Sequence, residues 1–264
     1  MNVYLYYRTY PGFSEKILFA ADKYELVKVC LESMELDKNN VHLCAIVNQS
    51  TPEFTNFLSA RFPSIYHVSE PCDRDDYRNH KMIFGGIGSY FKTYDMIMEN
   101  NHHDEDVILI IEDDYLFIAG GLNEWIEASR KFDGFVSPYD APGKYSTANT
   151  SSSKTTLYFH ANRHWRLTES STSTIGGRYK YFKKAFPMIK IPRLRKGRFH
   201  VGYFFGKELP SIDQIFYIRC RRWLGIDLVC PVPAIATHLS KNELSPAFDW
   251  EKRYLEILSK IKKS

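Results

Sequence analysis

The run Val107-Ile108-Leu109-Ile110-Ile111 constrains this 264-residue chain more than any other feature. Five consecutive aliphatic residues leave no polar side to turn toward water, so they predict a strand buried on both faces. Such a strand belongs inside a parallel sheet with crossover helices on each side. The segments before it fit that arrangement. Val3–Tyr7 reads as a first strand, and Ser14–Leu36 carries Ile17, Phe19, Ala20, Tyr24, Val27 and Leu31 at helical spacing. Val41–Val47 is a second strand. Thr51-Pro52-Glu53 opens a helix that runs to Arg61, because threonine caps and proline suits the first turn. Ser64–Val68 is a third strand and Gly86–Asn100 a helix. The fold class expected is therefore α/β: a mixed, mostly parallel sheet flanked by helices.

After the aliphatic run the pattern loosens. Leu122–Arg130 predicts a helix and Gly134–Ser137 a short strand; residues 140–156 form a loop rich in Ser, Thr, Gly, Ala and Pro. An irregular basic stretch follows, with one helix near 178–186. Ser211–Leu224 predicts a helix, Leu228–Ala236 a strand and Trp250–Lys262 an amphipathic helix.

An apolar fraction of 44% and a charged fraction of 25% exclude a wholly disordered chain. No fixed repeat indicates a solenoid. No apolar run of about 18 residues indicates a transmembrane helix. The opening MNVYLYYRTY reads as a strand and not as a secretory signal. The five cysteines lack CxxC spacing, which argues against a cysteine zinc site and for reduced thiols in the cytoplasm.

Three carboxylates, Glu112-Asp113-Asp114, follow the aliphatic run at once. Ligands of open α/β sheets bind at the carboxyl ends of strands. Adjacent buried acids repel one another. A hard cation such as Mg²⁺ or Mn²⁺ removes that repulsion and usually binds phosphates as well. The cluster Asp73, Asp75 and Asp76 is a second acidic candidate.

The stretch Ile110-Ile111-Glu112-Asp113-Asp114-Tyr115-Leu116-Phe117 resembles the Asp-X-Asp motif of GT-A glycosyltransferases, in its Glu-Asp-Asp form. The resemblance covers about residues 1–138. It implies one Rossmann-like GT-A domain over 1–264, with a nucleotide-sugar-binding half, 1–138, and an acceptor-binding half, 139–264. It implies a nucleotide-diphospho-sugar donor and transfer of the sugar to a hydroxyl acceptor. Asp114 would bind Mn²⁺ or Mg²⁺, with Glu112 or Asp113 near the donor. His238, ending the strand after Leu228, would be a further metal ligand. Asp213, at the start of a helix in Leu209-Pro210-Ser211-Ile212-Asp213-Gln214, would be the catalytic base. Ile212 stands where the family often has Glu, which leaves inversion or retention open.

Polar residues at the strand ends suit the donor nucleotide: Arg8 and Thr9 after the first strand, Asn48 and Ser50 after the second, Glu70 after the third. Arg78 and Lys81 precede the Gly85-Gly86 helix start. From Arg163 to Lys207 twelve cations stand against one acid, Glu169, a local charge of +11 against −7 elsewhere. Interleaved aromatics there suggest a polyanionic acceptor, nucleic acid included, held by Trp165, Arg178, Arg195 and Arg198. Two other readings stay open. A nucleotidyltransferase has a similar sheet and acidic site but usually a Gly-rich basic loop after strand one; Tyr7-Arg8-Thr9-Tyr10-Pro11-Gly12 has one Gly and one Arg. A non-catalytic nucleic-acid-binding protein would use the basic block alone.

Overall fold

A computed structural model describes residues 1–13, 16–36, 41–68, 85–145, 156–171, 173–194 and 212–263. Eleven strands are described: β1 (Val3–Thr9), β2 (Val41–Asn48), β3 (Ser64–Val68), β4 (Val107–Glu112), β5 (Tyr115–Phe117), β6 (Gly134–Val136), β7 (Leu157–His160), β8 (Arg163–Leu167), β9 (Ile175–Arg178), β10 (Asp227–Val232) and β11 (Ala236–His238). Helices α1 (Lys23–Ser33), α2 (Pro52–Ser59), α3 (Gly85–Glu99), α4 (Gly121–Lys131), α5 (Tyr179–Leu194), α6 (Ile212–Leu224) and α7 (Trp250–Ile261) accompany them.

Nine strands form one sheet in the order β3-β2-β1-β4-β9-β6-β10-β8-β7. Strands β1 to β4 are mutually parallel where they pair, with Val3 opposite both Val41 and Val107. β9 enters antiparallel between β4 and β6, and the β7–β8 hairpin closes the far edge. This is the mixed, mostly parallel α/β sheet expected from the sequence.

The aliphatic run is buried throughout, and its alternation divides the core. Leu109 and Ile111 join Leu5 and Tyr7 under α1, α2 and α4, while Ile108 and Ile110 join Tyr6 under α3, α5 and α6. A strand buried on both faces has no use for polar positions, which is why the run is unbroken. The antiparallel insertion depends on glycine. A Cβ on Gly176 would lie 2.6 Å from the Leu109 side chain; at the parallel β6–β10 pair, one on Gly134 would strike the backbone carbonyl of Asp227.

Several boundaries differ from the sequence reading. α1 starts at Lys23, where Asp22 accepts a hydrogen bond from the Glu25 amide, and Ile17 makes an isolated bridge to Ser240 instead of lying in a helix. The strand expected to run through Ala236 stops at Val232. Pro233 has no amide proton for the ladder, and the chain re-enters as β11, paired with β5 in a separate two-stranded ribbon. The helix expected near 178–186 runs to Leu194. Among the described residues no helix is long and apolar enough to cross a membrane.

Candidate functional site

The topology marks one place for a ligand. From β1 the chain builds outward through β2 and β3, then returns to lay β4 on the other side of β1. At such a reversal the crossovers diverge and open a crevice at the carboxyl ends of the strands. Arg8 and Glu112 are register partners at that end of β1 and β4. Thr9 follows Arg8, Asp113 and Asp114 follow Glu112, and Asn48 ends β2. Arg8, Thr9, Asn48 and Asp113 are buried.

Each of the three acids has its own cation. The Arg8 guanidinium donates to Glu112 Oε1 at 3.1 Å. Lys23, in the first turn of α1, pairs with Asp113, whose Oδ2 also accepts the Thr9 hydroxyl. Asp114 Oδ2 lies 2.8 Å from His238 Nε2. The last contact is built by the ribbon: pairing of β5 with β11 sets His238 opposite Tyr115, whose ring stacks on the imidazole at 5.3 Å. The mutual repulsion that pointed to a cation is thus met largely by protein cations. Lys23 is the member that sequence reading missed. Its 6% side-chain exposure marks it in the structure, but in sequence it looks like any lysine at a helix start.

The pairs differ in protonation. Burial pushes Asp113 above the usual carboxylate range, only partly offset by Lys23. Burial likewise raises Glu112 in spite of Arg8. Burial acts against ionised Asp114 too, yet His238 outweighs it and holds that carboxyl below its usual value. For His238 burial favours the neutral ring, but Asp114 prevails and lifts the imidazole to about 9.

Among the described residues no three His, Cys, Asp or Glu side chains converge to hold an ion. Asp114 Oδ1 and His238 Nδ1 are nonetheless buried without a hydrogen-bond partner. The free Asp114 oxygen fits a cation that completes its shell with water and substrate phosphate, the usual manner of Mg²⁺, whereas a His238 ring kept protonated by Asp114 offers no lone pair to it.

Asp213 lies in the first turn of α6, where its Oδ2 accepts from the Ser170 hydroxyl at 2.8 Å and the Ser171 amide at 3.3 Å. Of the expected acceptor residues, the two that are described, Trp165 and Arg178, do not gather around it. Trp165 is wholly buried in the core, its indole donating to the His160 carbonyl, so no ring face is open to an acceptor. Arg178 sits opposite Val107, at the amino end of β4, bonded to Glu105 and Asp133. Arg78, Lys81, Arg195, Arg198, Glu70 and the Asp73, Asp75 and Asp76 cluster lie outside the described residues. The basic block is also less bare than its count suggests. Arg163 pairs with Glu124, Arg166 with Asp140, Lys180 with Glu105 and Lys183 with Asp104. Among the described residues, acids distant in sequence meet Arg163, Arg166, Arg178, Lys180 and Lys183.

No family model and no curated protein matches the chain. Solved structures do. The chain is similar to a 4-diphosphocytidyl-2C-methyl-D-erythritol synthase from Anaerococcus prevotii, at 10% identity over 99% of this chain and 96% of that one, with a TM-score of 0.47. It is similar to the inositol-1-phosphate CTP transferase from T. maritima, at 14% identity over 100% and 97%, TM-score 0.47. A CMP:2-keto-3-deoxy-manno-octonic acid synthetase complexed with CTP gives 10% identity over 100% and 99%, TM-score 0.47. CTP appears in two of these names, once as the substrate of a transferase and once bound to a synthetase. The glycosyl transfer expected from the sequence has no counterpart in the names of these neighbours, one of which is a CTP transferase. The physical reason is plain: acids after a buried strand mark the ligand edge of any parallel α/β sheet, whatever group is transferred.

Proposed function

We propose that the chain is a nucleotidyltransferase that binds a nucleoside triphosphate in the crevice between β1 and β4. One observation carries the reading: Arg8, Lys23 and His238, three cationic or cation-competent side chains, meet the acids 112–114 at the topological switch of the sheet. The absence of a Gly-rich basic loop after strand one had argued against this class. The structure supplies a cation at that place by another route, since Lys23 comes from α1 and lies 4.6 Å from the Tyr10 ring centroid.

In this reading Arg8 and Lys23 face the phosphates, and Thr9 and Asn48 line the nucleotide side. Asp114 would hold a Mg²⁺ or Mn²⁺ ion, which supplies neutralisation of phosphate charge. An acceptor oxygen attacks the α-phosphorus, the bond from that phosphorus to the bridging oxygen breaks, and pyrophosphate leaves. Asp213 receives the acceptor's proton when the nucleophile is a hydroxyl.

The test is pyrophosphate release from each of the four common nucleoside triphosphates, with Mg²⁺ and with a pool of phosphorylated and free polyols. Metal-dependent release that requires an acceptor supports the reading. A protein that neither binds nor consumes any triphosphate refutes it.

A further inference from the structure

A chain of contacts, most of them between buried hydroxyl groups, runs from the crevice to Asp213. Arg8 donates from Nη2 to Ser89 Oγ at 2.9 Å, and its guanidinium lies 5.2 Å from the centroid of the Tyr90 ring. The Tyr90 hydroxyl meets those of Tyr94 at 3.3 Å and Tyr217 at 3.0 Å. Ser171 Oγ donates to the Tyr217 hydroxyl at 2.9 Å, and the Ser171 amide donates to Asp213. A second route closes the circuit. The Thr174 amide donates to the Ser171 carbonyl at 3.1 Å, and Thr174 Oγ1 accepts from the Glu112 amide at 3.4 Å. Tyr90, Tyr94, Tyr217, Ser171 and Thr174 are all buried.

Phenylalanine would fill the tyrosine sites equally well as a packing element. Buried hydroxyls are costly unless paired, and satisfied networks of them fix one arrangement of the groups they join. What this network joins is specific. On one side stand Arg8 and Glu112 at the sheet switch; on the other stands Asp213. Within Ser170–Gly177, which in sequence resembles a flexible acceptor loop, the described Ser170, Ser171 and Thr174 are tied at the two ends of the circuit.

We propose that Tyr217 and Ser171 are positioning residues that lock this segment, and through it the Asp213 carboxylate, in a fixed place relative to Arg8 and Glu112. Asp213 then faces an acceptor whose reactive oxygen carries a proton. The role assigned to Asp213 rests on the nucleotidyl-transfer reading; the locking itself does not.

Tyr217→Phe and Ser171→Ala are compared singly and together. Hydrogen exchange is followed by mass spectrometry in the peptide containing Ser170 and Ser171, and calorimetry follows nucleotide binding. In Tyr217→Phe the 168–174 peptide exchanges about five- to tenfold faster, the effect of losing one hydrogen bond, while the nucleotide Kd stays within about twofold. With an active wild type, kcat falls about tenfold or more with little change in the nucleotide KM. The double variant is no worse than the poorer single one, because both act through one bond. Unchanged exchange in both single variants, or full kcat in an active background, overturns the inference. Should Tyr217→Phe fail to fold, Ser171→Ala decides the matter by the same readouts. A wild type inactive with every triphosphate sinks the functional reading instead, and exchange still decides the locking.

Discussion

Replacing Lys23 with methionine removes the ammonium that pairs with the buried Asp113 carboxylate while keeping most of the side-chain volume. The Lys23 and Asp113 side chains are both 6% exposed, against 18% and 17% for His238 and Asp114. Solvent can therefore do little for Asp113 once its partner is gone; only the Thr9 hydroxyl remains as a strong donor. Breaking a buried pair from one side costs about 3–5 kcal/mol. For a chain of this size that is a drop of about 6–20 °C in Tm. Urea denaturation followed by circular dichroism gives the free energy, with m unchanged if only stability moved. The deficit must also depend on pH. Asp113 already binds its proton more readily folded than unfolded, because burial outweighs Lys23. Without Lys23 its folded pKa rises further. The penalty is then full above that value and shrinks as pH falls toward the ordinary carboxylate range, where the folded state carries a neutral acid. Lys23→Met/Asp113→Asn should recover most of the loss at pH 7. A single variant within 1 kcal/mol of wild type, or a double variant no better than the single, refutes this reasoning.

Three further outcomes are expected. Gly134→Ala destabilises by about 1–3 kcal/mol in urea unfolding, because its Cβ has only the Asp227 backbone to meet. In metal-free buffer wild-type stability declines as pH rises from the unfolded histidine value of about 6.5 toward 9. His238 is held protonated by Asp114 in the fold, so its contribution is complete below the lower value and lost through the upper one; His238→Gln should flatten that limb. Asp114→Asn leaves the fold intact but makes nucleotide affinity insensitive to Mg²⁺, whereas in wild type calorimetry the ion tightens binding about tenfold or more.

The sheet was legible because its central strand has no alternation to misread. Val107–Ile111 can only be a two-face-buried strand, and that fixed the neighbours on either side. The Pro233 break and the β5–β11 ribbon were harder. Tyr115–Phe117 is three residues long and follows the acids directly, so no spacing separates it from β4. Asp114 and His238 were named together from the sequence, and the ribbon does bring them into contact. Lys23 was not, because its role exists only through the packing of α1 over the carboxyl ends of β1 and β4. Part of the +11 count of the basic block is balanced in a way the sequence does not display. Charge counted along the chain omits Glu105, Glu124, Asp133 and Asp140, which meet those cations from other elements.

The central claim concerns which bond is broken, and a nucleoside triphosphate labelled at the α-phosphate tests it directly. The label is followed in the presence of Mg²⁺ and a pool of phosphorylated and free polyols, with a nucleotide-diphospho-sugar run in parallel. Nucleotidyl transfer moves the label to the acceptor and releases unlabelled pyrophosphate in equal amount, with no sugar transferred in the parallel reaction. Label that stays in the triphosphate, while sugar passes from the nucleotide-diphospho-sugar to an acceptor, contradicts it.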